Sequence, residues 1–179
     1  MHTSPEADMK KTVCPFILIV SIAVLSLLPG TQAGSQSIGS PEWRANPENQ
    51  IRKKSIRGKI INSNLLGMRW NEDLGTVKFR RPNVLTLRII DVSIADGAAP
   101  VVKTFTFKNI ARLPFTFDLD VSDVIFVRGL TYSLSAHLDS DMSGSITKGD
   151  YLNSVRHGIR YNHGSSDVIN MNLYIGKYD

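Results

Sequence analysis

The sequence predicts an all-β domain, either a small antiparallel β-sandwich or a partly open Greek-key barrel. Three observations predict it. Residues 84–95 (Val-Leu-Thr-Leu-Arg-Ile-Ile-Asp-Val-Ser-Ile-Ala) are too long, too β-branched and too regularly alternating for a loop. Some eight or nine such runs follow one another from residue 56 onward, separated by turn residues. Their apolar spacing is close to two rather than to the helical period.

Residues 57–61, Arg-Gly-Lys-Ile-Ile, read as the first strand. Residues 65–70 and 75–79 are weaker strand candidates around an Asn71-Glu72-Asp73 turn. In the long strand 84–95, Thr86, Arg88, Ile90, Val92 and Ile94 point one way, and Leu85, Leu87, Ile89, Asp91 and Ser93 the other. The apolar face therefore switches near Ile89-Ile90, which predicts a bend or bulge there. Residues 96–100 form a turn. Strands 101–107 and 113–119 follow, offering Phe105, Phe107, Phe115 and Phe117 to the core. Asp120 and Ser122 are good helix N-caps, so 120–127 reads as a single helical turn. Residues 131–138 alternate cleanly, with Tyr132, Leu134, Ala136 and Leu138 inward. Strands 145–153, 155–161 and 168–174 complete the set.

The N-terminus reads as a secretory signal over residues 1–33. Lys10 and Lys11 form the charged region, residues 16–28 the apolar core, and Thr31-Gln32-Ala33 the cleavage site. The uncharged run is short of the roughly 20 residues a spanning helix needs, so no stable membrane anchor is expected. Cleavage removes Cys14, the one cysteine. The core must then hold without disulfides, and an oxidising compartment permits this. Residues 34–55 are small, polar and then basic (Arg52-Lys53-Lys54), and read as a flexible leader with Trp43 loosely docked. Residues 56–179 form one domain. A net charge of +5 favours an acidic matrix, a sulfated glycan or another extracellular macromolecule as partner over nucleic acid.

Several blocks carry a family resemblance. They are Ile56-Arg57-Gly58-Lys59-Ile60, the run from Pro82-Asn83-Val84 through Asp91-Val92-Ser93 to Ala95-Asp96, Leu113-Pro114-Phe115-Thr116-Phe117-Asp118-Leu119, and Tyr132-Ser133-Leu134-Ser135-Ala136-His137-Leu138. Over most of residues 56–160 the chain resembles the YbaY-type bacterial lipoprotein domain, grouped with the YscW pilotins of type III secretion. That resemblance implies a small β-sandwich without catalytic residues. Pilotin members of the family escort a secretin to the outer membrane on a lipid anchor. Here the signal lacks the lipid-attachment cysteine, so the resemblance carries the fold but not the anchoring and escort function.

The strongest local motif runs from Asp139 to Asp150 and has the spacing of a twelve-residue calcium loop. Asp139, Asp141 and Ser143 offer side-chain oxygens, Gly144 permits the turn, Ser145 offers its carbonyl, Ile146 anchors the loop to the core and Asp150 closes it. Calcium is the one cofactor the pattern admits. Against it, the last position is Asp rather than Glu and a strand precedes the loop. A polar hairpin turn explains the same residues. His137, His157 and His163 are too few and too dispersed for zinc. No nucleophile elbow or mature thiol supports hydrolysis, and Asp91 and Asp96 suit backbone capping. Arg80-Arg81 and Arg52-Lys53-Lys54 read as a polyanion patch, a dibasic cleavage hinge or simple solvated charge.

Three readings of function stand. The first is a secreted, non-enzymatic binding or extracellular-matrix module. The second is an extracellular calcium-binding protein using Asp139, Asp141, Ser143, Ser145 and Asp150. The third is a pilotin-like chaperone of an exported partner.

Overall fold

The computed structural model describes residues 37–65, 72–94, 97–153, 155–162 and 164–179. The signal segment, Cys14, most of the 65–70 strand candidate, Asp96 and His163 lie outside the described residues.

The chain forms helix α1 (Pro41–Ala45), a 3-10 turn at Pro47–Asn49, and twelve strands: β1 (Gln50–Ile51), β2 (Ser55–Ser63), β3 (Val77–Lys78), β4 (Val84–Asp91), β5 (Val101–Lys108), β6 (Arg112–Leu113), β7 (Phe115–Asp120), β8 (Phe126–Val127), β9 (Tyr132–Asp139), β10 (Tyr151–Leu152), β11 (His157–Gly158) and β12 (Val168–Lys177). One sheet runs β5-β4-β9-β10-β12-β2-β7, with β11 also on β9. Two short pairs, β1-β8 and β3-β6, stand beside it. The sheet rolls until its end strands approach, bringing Phe107 of β5 and Phe115 of β7 to 5.3 Å between ring centroids. The all-β expectation is realised as its partly open barrel form. The expectation of antiparallel pairing fails at one ladder, because β12 runs parallel to β2 from Val168↔Ser55 to Gly176↔Ser63.

The period-two pattern becomes the core directly. Leu85, Leu87 and Ile89 of β4, Leu134 and Leu138 of β9, Leu173 and Ile175 of β12, and Ile56 and Ile60 of β2 are completely buried. The aromatic trio Phe126, Tyr132 and Tyr161 plugs one end, with centroids 5.2–5.4 Å apart. Tyr161 donates its hydroxyl to the carbonyl of Val127 at 2.7 Å, so the plug leaves no orphaned phenol.

Gly58 lies where β2 is hemmed in by both neighbours. A Cβ there would fall 1.6 Å from the Met171 carbonyl oxygen of β12 and 3.1 Å from Cζ of Phe117 on β7. Only a residue without a side chain lets the three strands meet.

Several elements depart from the sequence reading. The long strand ends at Asp91, and its buried face does not switch: Asp91 continues the Leu85-Leu87-Ile89 face, while Ile94 is exposed. The irregularity at Ile89-Ile90 is present, as a register shift against β5. Residues 120–127 make a turn rather than a helix. Asp120 accepts from the Ser122 amide at 3.0 Å, and Val124 donates to the Val121 carbonyl at 2.9 Å. The candidate strands 75–79, 145–153 and 155–161 shrink to β3, β10 and β11.

The leader is tied down from Ser40 onward. Ser40 caps α1 by accepting from the Trp43 amide, and Pro41 occupies the first helical position. Trp43 donates its indole N–H to the Arg128 carbonyl at 2.8 Å, and Arg44 pairs with Asp91 at 3.1 Å. Lys53, expected in a solvated tail, is buried. Its Nζ donates to the carbonyls of Ser166 at 2.7 Å and Gly164 at 3.4 Å.

Candidate functional site

The sheet has two open edges, because β5 pairs with β4 alone and β7 with β2 alone. They face each other across a groove of about 650 Å³ whose apolar lining includes Phe107, Ile110, Pro114 and Phe115. The chain itself keeps the edges apart. After β5, Asn83 pins the corner at Asn109-Ile110. Its side chain accepts from the Ile110 amide and donates to the Ile110 carbonyl, both at 3.0 Å, while its own carbonyl accepts from Asn109. Asn109 adopts φ 56°, a left-handed conformation Asn tolerates. The chain then leaves the barrel to form β6 against β3, and returns as β7 on the far side of the groove.

A single cation crosses near one end of this seam among the described residues. Lys103 of β5 donates to the Asp120 carbonyl at 2.8 Å and pairs with Asp123. The ammonium holds the Asp123 carboxyl below the usual carboxylate range. Lys103 and Asp123 are solvent-accessible enough for this contact to act as a weak latch.

Of the residues proposed from sequence, the structure brings Asp139, Asp141 and Asp150 together, with one oxygen from each within 4.8 Å of the others. All three use those oxygens internally. Asp139 accepts from the amides of Ser143 and Gly144, and Asp141 from the Ser143 amide and the Thr147 hydroxyl. Asp150 is fully buried and accepts from the Ser140 and Thr147 amides and from His137 Nε2 at 3.0 Å. Burial pushes the Asp150 carboxyl up, but the His137 contact and the amide donors outweigh it and hold the pKa low. The Ser143 and Thr147 donors lower the pKa of Asp141 as well. Ser143 and Ser145 bond to each other, Ser143 Oγ donating to the Ser145 carbonyl at 3.1 Å. Ile146 does not anchor the loop; it is 59% exposed, and Asp150 does the anchoring. As drawn by these bonds, the twelve residues make a self-satisfied polar turn entered from a strand.

The His137–Asp150 pair was not legible in sequence, since it joins β9 to the far end of the following loop. His157 is buried beside Tyr174, and burial lowers its pKa. Asp91 caps Ser93, as the sequence suggests, and also takes Arg44. Burial raises its pKa, and the Ser93 and Arg44 contacts more than offset that.

Comparison with known proteins finds similarity to secretion chaperones over part of the chain. The model of the YscW family, described as a type III secretion system lipoprotein chaperone, matches residues 75–153, somewhat under half of the chain. The resemblance read from sequence is thus present over β3 to β10, which includes both edges of the seam. A solved structure described as an alternative pilotin from the type II secretion system of Vibrio cholerae superposes with a TM-score of 0.47 at 20% identity. That superposition covers 69% of this chain and 97% of the pilotin. No curated protein matches the chain. These comparisons lend nothing to the matrix, glycan or calcium readings.

Proposed function

We propose, from the match of residues 75–153 to the type III secretion lipoprotein chaperones, that this chain is a non-enzymatic, pilotin-like chaperone of the bacterial envelope. It holds an extended segment of a secretin at the seam between β5 and β7. The observation that carries this reading is the pair of facing, unladdered edges across a groove that mixes Phe107 and Phe115 with polar and basic residues. An incoming strand gains main-chain hydrogen bonds from the edges and side-chain pockets from Phe107 and Phe115. Natural sheets blunt or cover such edges when they are not used. Here the cover is the Phe107–Phe115 ring contact and the reach of Lys103 to Asp120 and Asp123.

The third of the sequence readings therefore replaces the matrix module as the main one. Its compartment is the periplasmic face of the envelope. Among the described residues no helix is long and apolar enough to cross a membrane.

The test is a plug in the groove. Thr106 is exposed on β5 and lines the seam, so Thr106→Trp fills it without touching the core. The full chain and this variant are co-expressed with the secretin of the same genome. We expect Thr106→Trp to fold with an unchanged melting temperature, to lose co-purification of the secretin and to lower its outer-membrane assembly. Retention of the secretin by the plugged variant, or its absence from the unmodified chain, overturns the reading.

A further inference from the structure

The turn before β4 and the loop after β9 face each other across a second cleft of about 360 Å³. Lys78, Arg80 and Arg81 line it from one side and Lys148 from the other. None of these four has an ion-pair partner among the described residues. The one acid in the lining is Asp141, whose oxygens already accept from the Ser143 amide and the Thr147 hydroxyl. A fifth cation adds to the field, since Lys78 stands directly opposite Arg112 in the β3-β6 register. Like charges facing across strands cost stability unless an anion lies between or beside them.

The walls are held from behind. Asn83 donates to the Arg81 carbonyl at 3.2 Å while locking the 109–110 corner. Phe79 sets its ring edge-on to Tyr151 at 5.6 Å and donates its amide to the Ala111 carbonyl at 2.9 Å. On the other wall, buried Asp150 fixes the backbone of Ser140 and Thr147, the residues flanking Asp141 and Lys148. The cations thus project from a fixed backbone into a concave space, where two guanidinium forks suit a multidentate oxyanion.

We infer that this cleft binds a phosphate-class oxyanion, gripped by Lys78, Arg80, Arg81 and Lys148. None of the four gripping cations lines the secretin seam, although Arg112 and the 109–111 corner border both clefts.

The probe is inorganic pyrophosphate, titrated into the full chain at low salt and followed by amide chemical shifts. A second arm measures sedimentation with phosphatidylglycerol vesicles against phosphatidylcholine vesicles. The cleft variant is Arg80→Gln with Arg81→Gln. The control, Arg156→Gln with Arg160→Gln, removes the same charge from exposed residues elsewhere. We expect shifts focused on residues 78–83 and 140–148, and about tenfold weaker binding in the cleft variant alone. Binding of phosphatidylglycerol vesicles with the same variant dependence assigns the source as a lipid headgroup. Pyrophosphate binding without vesicle binding assigns a soluble phosphate. Equal weakening in both variants, scattered shifts, or no binding in either arm overturns the inference.

Discussion

The wall made by β12, β2 and β7 and the seam between β5 and β7 use the same kind of strand to opposite ends. In the wall, β2 has a partner on each side, and Gly58 lets Met171 and Phe117 close in until no side chain fits. At the seam, strands of similar length end at open edges, their phenylalanines meet only ring to ring, and one lysine crosses. The sheet's stability is thus concentrated where it is paired on both sides. The unpaired edges, where the proposed partner strand would add, lie where pairing stops.

Substitutions that strike each region should separate them. The largest effect is expected from Gly58→Ala, whose Cβ would collide with backbone rather than with a yielding side chain. A loss of about 3 kcal/mol or more in denaturant unfolding is the expected outcome. A loss well under that would mean that the wall yields as readily as an unpaired edge.

The second effect tests the polar turn that braces β9. Asp150→Ala strips the acceptor from the Ser140 and Thr147 amides and from His137 in a buried setting, for an expected loss of about 2–3 kcal/mol. The same group sets the acid response. The folded carboxyls of Asp150 and Asp91 lie below their ordinary value, so they contribute stability above the unfolded carboxylate pKa of about 4. That contribution is lost as pH falls through their folded values. Melting temperature should hold from neutral pH to about pH 5 and then drop, and the drop should be shallower in Asp150→Ala.

The smallest effect belongs to the seam. Phe107 is half-buried, and Phe107→Ala should cost only about 1–2 kcal/mol. It should raise hydrogen exchange in β5 and β7 while leaving β2 and β12 protected. Uniform loss of protection would erase the contrast between the two regions.

Much of the core carried by β4 and β9 was legible from residues alone. Leu85, Leu87 and Ile89, and Tyr132, Leu134, Ala136 and Leu138, announced their buried faces by period two, because each strand's alternation is local. The parallel partner of β2 was not legible. Its register joins residues such as Lys59 and Asn172, 113 positions apart, and no turn signal spans that distance. Lys53 misled for the same reason, since the carbonyls that satisfy its ammonium come from Gly164 and Ser166. Charge in a run reads as solvated until a distant backbone supplies acceptors. The structure does bring Asp139, Asp141 and Asp150 together, but their spacing in sequence does not say which donors fill them. The seam was hidden because an edge is defined by what a strand lacks, and every strand looks alike until pairing is counted.

The parallel ladder also fixes an order of events. β12 is the latest described strand to be synthesised, yet it sits in mid-sheet between β2 and β10. Until it is made, β2 has no neighbour on that flank, and the two halves of the sheet have no strand ladder to join them. The barrel therefore cannot close before β12 is present. Closure of the barrel is thus tied to residues 168–177, whatever has folded before them.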